Sequence, residues 1–103
     1  KYWNLAMKCL VNGATVSEGN LQDMRYSFAE IIESCSYGVQ LFAGDIICSG
    51  PVKNGSFFAL NGAAKVNDPL NEEQWLKEGD IVEIEIDQLG KLTNTIVKEE
   101  NDY

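Results

Sequence analysis

A chain of 103 residues with a hydrophobic fraction of 45% suits one folded domain, residues 1–103, and excludes a disordered chain. Sixteen acidic against eight basic residues give a formal charge of −8, and the basic residues are scattered singly, so no nucleic-acid partner is expected. No apolar run approaches the roughly 20 residues of a membrane-spanning helix, and the first ten residues lack a signal-peptide pattern, so no membrane partner is expected.

The first predicted element is a β-hairpin. Leu5–Val11 has the composition of a strand, and it ends at the dipeptide Asn12-Gly13. This dipeptide favours positive φ angles at both positions and therefore a tight turn. A short return strand over Ala14–Ser17 is predicted to complete the hairpin.

A helix is predicted after the hairpin, over about residues 21–36. Asn20 is a suitable N-cap, and Asp23 places negative charge near the positive end of the helix. Gly38 is predicted to end it. The apolar residues that follow Asn20 fall on one stripe at the 3.6-residue period: Met24, Phe28, Ile31, Ile32 and Cys35.

A short pattern, Leu-x-x-Gly-Asp-Ile-apolar, occurs twice beyond the helix. It stands at Leu41–Ile47 and again at Leu76–Val82, 35 residues further on. Two copies are too few for a repeat architecture, which generally needs at least three stacked units. The pattern instead predicts a Gly-Asp turn that leads into a buried strand in both places.

The remaining elements are predicted to be strands joined by turns. Phe57–Leu60 is predicted to be a strand that stops at Asn61-Gly62, and residues 63–71 are predicted to be a loop. Val82–Ile86 alternates apolar and acidic residues, as a half-buried strand does, and Lys91–Val97 is predicted to return beside it.

The sequence lacks histidine, so the commonest general base and any Ser-His or Cys-His nucleophile pair are excluded. No catalytic residue is predicted in this chain. The three cysteines, Cys9, Cys35 and Cys48, show no C-x-x-C spacing and have apolar neighbours, which predicts buried free thiols in a cytoplasmic protein. A zinc site is not expected without histidine.

Four motifs, in one order along the chain, resemble the fumarylacetoacetate hydrolase family. They are Val11-Asn-Gly13; Gly19-Asn20 with Met24, Ser27 and Phe28; Leu41–Gly50; and Trp75–Ile96. Together they cover approximately Leu5–Val97, and Phe58–Gly62 is similar to the branch that acts on small 2-keto acids. The resemblance implies the C-terminal part of that catalytic domain: a mainly β (α+β) fold with a mixed, mostly antiparallel β-roll and one packed helix.

The family resemblance also implies a reaction and a cofactor. The parent enzyme would be a hydrolase or lyase (hydratase, dehydratase or decarboxylase) that acts on 2-keto or diketo acids through an enolate. Its divalent metal, usually Mg²⁺, is held by carboxylates upstream of the Val-Asn-Gly strand, so no metal ligand is expected within this chain and the isolated chain is predicted inactive. Glu83 and Glu85 form a local Glu-x-Glu, but their alternation with apolar residues predicts a solvated strand face.

The predicted substrate-binding residues lie in one loop. In the family, the loop at Ser49-Gly50-Pro51 lines the substrate pocket, and a threonine follows the glycine where this chain has Pro51. Proline offers neither a hydroxyl nor an amide hydrogen, so contact with substrate moves to Ser49, the preferred substrate differs, or activity is lost. Lys53 is a candidate cation for a substrate carboxylate. The alternatives are a solvated lysine and a loop that is only a tight connection.

The expected partners are a 2-keto or diketo acid, together with a second copy of the chain, an N-terminal half of the same enzyme, or both. The sequence starts at Lys1 rather than Met, which suggests a processed or excised piece. One alternative is a catalytically inactive relative that serves as a binding or scaffolding module. Another is an unrelated small β-barrel adaptor.

Overall fold

A computed structural model describes residues 3–100 of the chain. Its elements are β1 (Ala6–Val11), β2 (Ala14–Asn20), a 3-10 turn (Leu21–Asp23), α1 (Phe28–Cys35), α2 (Phe57–Asn67), β3 (Ile81–Ile86) and β4 (Gly90–Thr95). The strands form one sheet in the order β2-β1-β3-β4, and each pair of neighbours is antiparallel. The predicted α+β class with an antiparallel sheet is confirmed, with two helices where one was predicted.

The β1–β2 hairpin forms at the predicted place. Asn12 and Gly13 both have positive φ angles, 52° and 83°, which suits the right-handed twist of a two-residue hairpin. β2 runs to Asn20, three residues beyond the predicted Ser17. The register between β1 and β2 shifts between Cys9 and Leu10, so the two strands do not pair residue for residue along their whole length.

A hydrogen-bonded pair, the exposed Asn12 and the buried Asp80, joins the hairpin turn to the start of β3. The Asn12 side-chain amide donates to Asp80 Oδ1 at 3.0 Å, and Asn12 Oδ1 accepts from the backbone N–H of Ile81 at 2.9 Å. Asp80 is only 6% exposed, and its Oδ2 accepts from the backbone N–H of Lys77 at 3.0 Å. The hairpin turn and the second Gly-Asp turn are far apart in sequence, and side-chain hydrogen bonds join them in addition to the pairing of β1 with β3.

The two Gly-Asp segments make the same turn. In the first, Asp45 Oδ2 accepts from the Phe42 N–H at 2.8 Å while the Asp45 N–H donates to the Phe42 carbonyl at 3.1 Å. Asp80 repeats both contacts with Lys77, at 3.0 and 3.1 Å. The predicted turn is therefore confirmed twice. The strand predicted after the first copy is wrong, because residues 46–52 pair with no strand and Ile46 is 89% exposed.

The single helix predicted over residues 21–36 is wrong in its first half. Asn20 does act as a cap, since its side chain accepts from the Gln22 N–H at 3.0 Å, but only the 3-10 turn follows. Met24 is extended, and α1 begins after Ser27, which forms a complete capping box with Glu30. The Ser-x-x-Glu signature is the stronger helix start, and it sets the boundary.

The strand predicted over Phe57–Leu60 is also wrong, because this segment begins α2. The Ser56 side chain caps the helix by accepting from the Ala59 N–H at 3.2 Å. Asn61, predicted to stop a strand, is buried inside the helix and exchanges two hydrogen bonds with the Gln74 backbone, at 2.7 and 2.8 Å. A tertiary contact, rather than a local turn, explains this asparagine, and the loop predicted over 63–71 is helical up to Asn67.

The sheet has two chemically distinct faces. Alternation and strand pairing place charged side chains on one face, with Lys8 3.5 Å from Glu85 and Lys91 3.0 Å from Glu83. The opposite face, called the apolar face below, consists of Met7, Cys9, Val11, Val82, Ile84, Ile86 and Leu92. The outward, solvated position predicted for Glu83 and Glu85 agrees with this arrangement.

The apolar face is largely uncovered. Among residues 3–100, Leu5 is the one buried apolar residue, at 7% exposure. The accessible surface of 8754 Å² compares with about 5,800 Å² for a compact monomer of 11.4 kDa. The prediction that the cysteines are buried is wrong for Cys35 and Cys48, which are exposed, while Cys9 is half-buried. All three are free thiols.

Candidate functional site

The loop after the first Gly-Asp turn is fixed against the end of β2. A Cβ atom on Gly19 would lie 2.9 Å from Val52 Cγ1, closer than side chains pack, so only glycine allows this approach. Within the loop, the Gly55 N–H donates to the Val52 carbonyl at 2.9 Å, and Gly50 and Asn54 have positive φ angles of 83° and 56°. Val52 therefore anchors the segment that carries the predicted site residues.

A cavity of about 420 Å³ opens beside this loop. The four residues predicted to bind substrate, Ser49, Gly50, Pro51 and Lys53, all line it. Most of the remaining lining comes from the end of β2, the 3-10 turn and the segment that leads into α1. The structure therefore brings the predicted residues together in one cavity, and their part in substrate binding stays a prediction.

Four charged residues, of which only Lys53 belongs to the loop, also line the cavity. Arg25 and Lys53 contribute positive charge, while Glu18 and Asp23 contribute negative charge. Tyr26 also lines the cavity, and the guanidinium carbon of Arg25 is 5.4 Å from the centroid of its ring. An anionic ligand in this cavity would meet both cations, and also two carboxylates that oppose it.

Arg25, Glu18 and Asp23 were not predicted as site residues. A continuous helix over residues 21–36 would have placed Arg25 on its outer side, and only the break at Met24 changes that position. The sequence did contain one signal for them, because these residues flank Gly19-Asn20, which is part of a motif that resembles the family. Ser27 does not line either cavity. Its hydroxyl caps α1, and its backbone N–H donates to Glu30 Oε2 at 2.7 Å, which lowers the pKa of Glu30.

The carboxylates of this chain do not fit a metal site. Across residues 3–100, no three carboxylate or cysteine side chains converge on one point. Glu83 and Glu85 pair with Lys91 and Lys8, and the hydrogen bond that Lys91 donates to Glu83 raises the pKa of Lys91. A divalent cation needs six or more oxygen donors, several of them usually carboxylates or water, and this donor set lacks that cluster.

A second cavity, of about 570 Å³, lies on the apolar face of the sheet. Its walls are the central strands, the start of α2 and Trp75, whose indole N–H donates to Glu73 Oε2 at 3.1 Å. Cys9 is the one ionisable residue among those that line it, so its occupant should be uncharged and apolar. In the part of the chain that the structure describes, neither helix is long and apolar enough to cross a membrane.

The chain is thus an α+β domain with one charged sheet face, one uncovered apolar face and a small cavity lined partly by charged residues. The sequence model for the C-terminal domain of fumarylacetoacetate hydrolases matches residues 1–97. The chain therefore belongs to the fumarylacetoacetate hydrolase family.

Curated relatives agree with this assignment. The chain is 36% identical over 92 residues to the oxaloacetate tautomerase YisK of Bacillus subtilis, which covers 89% of this chain and 27% of that protein. It is 32% identical over 94 residues to the human mitochondrial oxaloacetate tautomerase FAHD2A, with 91% of this chain and 26% of that protein covered. The chain thus spans about a quarter of the length of these relatives.

Proposed function

We propose that this chain is the C-terminal part of a fumarylacetoacetate hydrolase-family enzyme that acts on 2-keto or diketo acids, and that its substrate binds in the cavity beside the Ser49–Lys53 loop. The observation that carries the proposal is that all four predicted loop residues line one cavity of about 420 Å³. This volume lies within the roughly 300–1,000 Å³ of small-molecule sites. The names of the relatives point to oxaloacetate, a 2-keto acid, as the first substrate to test.

The chemistry of the proposed enzyme is divided between two parts of the polypeptide. Residues 3–100 supply a cavity with two cations that can hold and orient an anionic keto acid, but they supply no histidine base and no carboxylate cluster for a metal. The expected Mg²⁺ and the group that moves the proton therefore belong to an N-terminal part. We expect this chain alone to be inactive for that reason.

The N-terminal part is also the proposed occupant of the apolar face. An accessible surface about 3,000 Å² above that of a compact monomer exceeds what a standard protein–protein interface buries. About three quarters of the length of the matched relatives lies outside the part that this chain covers, which is ample to supply a second layer. Association between two copies of the enzyme stays a separate prediction.

The test uses a fusion protein in which this chain replaces the matching 92-residue segment of the Bacillus subtilis relative. Keto–enol interconversion of oxaloacetate is measured for the fusion protein and for the chain alone, with a 2,4-diketo acid as a second substrate. We expect the fusion protein to be active and to lose activity reversibly on chelation of Mg²⁺, while the chain alone stays inactive. A well-folded fusion protein without activity on either substrate contradicts the proposal.

Pro51 favours one specific alternative, a relative without catalytic activity that serves as a binding module. The Pro51→Thr variant of the fusion protein restores the hydroxyl that the family places there. If the fusion protein with Pro51 is inactive and its Pro51→Thr variant turns over substrate, the alternative is supported for the native sequence. The Ser49→Ala variant is the companion experiment, since a loss of substrate affinity there is expected if Ser49 has taken over the contact.

A further inference from the structure

The outer edge of β4 presents backbone groups for pairing with another strand. β4 is an end strand of the sheet and, in the described part of the chain, pairs only with β3. Ile96, just beyond β4, donates its N–H to the Asp80 carbonyl at 2.8 Å and so points towards β3. Alternate residues of an antiparallel strand point to the same neighbour. The N–H and C=O groups of Lys91, Thr93 and Thr95 therefore point away from β3, along the outer edge.

The two edges of the sheet differ in their protection against pairing. β2, at the opposite edge, shows the register shift against β1, and such bulges are a common protection of edge strands. β4 pairs with β3 without a shift over Gly90–Thr95, contains no proline and is exposed along its whole length. Its one charged residue, Lys91, lies 3.0 Å from Glu83 of β3, and this ion pair draws its side chain away from the outer edge. β4 is therefore the open edge of the sheet.

We propose that β4 pairs with β4 of a second copy of the chain, antiparallel and about a two-fold axis at Thr93. The two four-stranded sheets then form one continuous sheet. This inference concerns a surface outside the proposed substrate site and does not depend on the proposed function. The register centred on Thr93 pairs all outward-pointing residues with each other, Thr93 with Thr93 and Lys91 with Thr95. Each such pair exchanges two backbone hydrogen bonds.

The sequence of β4 is complementary to itself in this register. Threonine opposite threonine is a favourable cross-strand pair, and Lys91 of one copy faces Thr95 of the other, so no like charges are opposed. The two-fold axis is perpendicular to the sheet, which leaves both apolar faces on one side and open to the N-terminal part proposed above. The small contact and the formal charge of −8 on each copy predict a weak dimer, with a dissociation constant on the order of micromolar.

The test measures the dimer dissociation constant of the whole chain by analytical ultracentrifugation. Thr93→Lys places two positive charges opposite each other at the axis, and Thr93→Pro removes an outward N–H without loss of a hydrogen bond to β3. We expect each variant to raise the dissociation constant at least about tenfold. Thr15→Lys is the matched control, because Thr15 is an exposed threonine of the opposite edge strand, β2. It should change the constant by less than about twofold.

Amide hydrogen exchange is a second measurement that needs no substitution. The amides of Thr93 and Thr95 should become protected as the protein concentration rises, while those of Leu92 and Asn94, which point towards β3, should be protected at every concentration. A chain that stays monomeric well above micromolar concentration overturns the proposal, and so does protection of the Thr93 amide only when the N-terminal part is added. A dimer that Leu92→Lys dissociates and Thr93→Lys leaves intact would assign the contact to the apolar face and overturn it too.

Discussion

Asn12 contributes to the fold through both its backbone and its side chain. Its backbone adopts a φ of 52°, which asparagine tolerates better than most residues, and its side chain bridges Asp80 and the Ile81 N–H. The dipeptide alone predicted the turn. The side-chain contact with a residue 68 positions away could not be predicted, because it requires the pairing of β1 with β3.

Asn12→Ala should therefore destabilise the fusion protein by about 2–4 kcal/mol, since it loses two hydrogen bonds and strains a left-handed residue. Asn12→Gly is the matched control: it loses the same hydrogen bonds but not the backbone freedom, so about 1–2 kcal/mol is expected. Denaturant unfolding measures both. Equal losses in the two variants would show that the backbone angle makes no contribution.

Asp80 should make stability dependent on acid pH. The hydrogen bonds from Asn12 and from the Lys77 backbone lower the pKa of this carboxyl in the folded protein. A lowered folded-state pKa gives stability that is complete above the unfolded-state pKa of about 3.9 and is lost as the pH falls through the folded-state value. Unfolding followed across this acid range should show a steeper loss for the native sequence than for Asp80→Asn, and parallel curves would contradict the assignment.

Gly19 and Val52 set the position of the Ser49–Lys53 loop. Gly19→Ala should push Val52 outwards and displace Pro51 and Lys53 from the cavity, so KM is expected to rise several-fold while kcat changes little. The measurement is steady-state kinetics of the fusion protein. Gly62→Ala is the control, because a Cβ there meets no atom within 4 Å and should stabilise α2 by about 0.5–1 kcal/mol. A similar rise in KM for both variants would argue against the loop contact.

Short sequence patterns predicted the boundaries of some strands and helices correctly and missed others. The hairpin, the β3–β4 pair and both Gly-Asp turns follow from dipeptide and alternation patterns, which act over a few residues. The first half of the predicted helix failed because the capping box at Ser27 outcompetes the cap at Asn20. α2 was missed because Asn61-Gly62 resembles a turn, while the contact that accommodates Asn61 in a helix lies 13 residues away.

The candidate site likewise contains residues that were predicted from the sequence and residues that were not. Ser49, Gly50, Pro51 and Lys53 were predicted from a motif that is contiguous in sequence, and the structure places them together. Arg25 and Glu18 reach the cavity only through the break at Met24 and the extension of β2. Neither was predicted, because the helix was started at Asn20 instead of at the capping box of Ser27, and the return strand was ended at Ser17. Prediction of the site was therefore limited to its loop wall.

For the whole molecule, the decisive feature is the difference between the two sheet faces. Adjacent residues of β4 point to opposite faces, so Leu92→Lys and Thr93→Lys place the same charge on the apolar and the charged face respectively. We expect Leu92→Lys to weaken association with a separately expressed N-terminal part by about tenfold or more, because it desolvates an unpaired charge. Thr93→Lys, opposite Glu83, should have little effect. Affinity measured by calorimetry distinguishes the two.

The fluorescence of Trp75 can report whether the apolar face of the sheet is covered. Its indole is 53% exposed and borders the cavity of about 570 Å³ on the apolar face. When a second layer of polypeptide closes over this surface, the ring passes from water to hydrocarbon surroundings, and its fluorescence emission should move to shorter wavelength. In a Trp3→Phe background, Trp75 would be the one tryptophan of this chain, and its emission would report the binding of such a layer without any added dye.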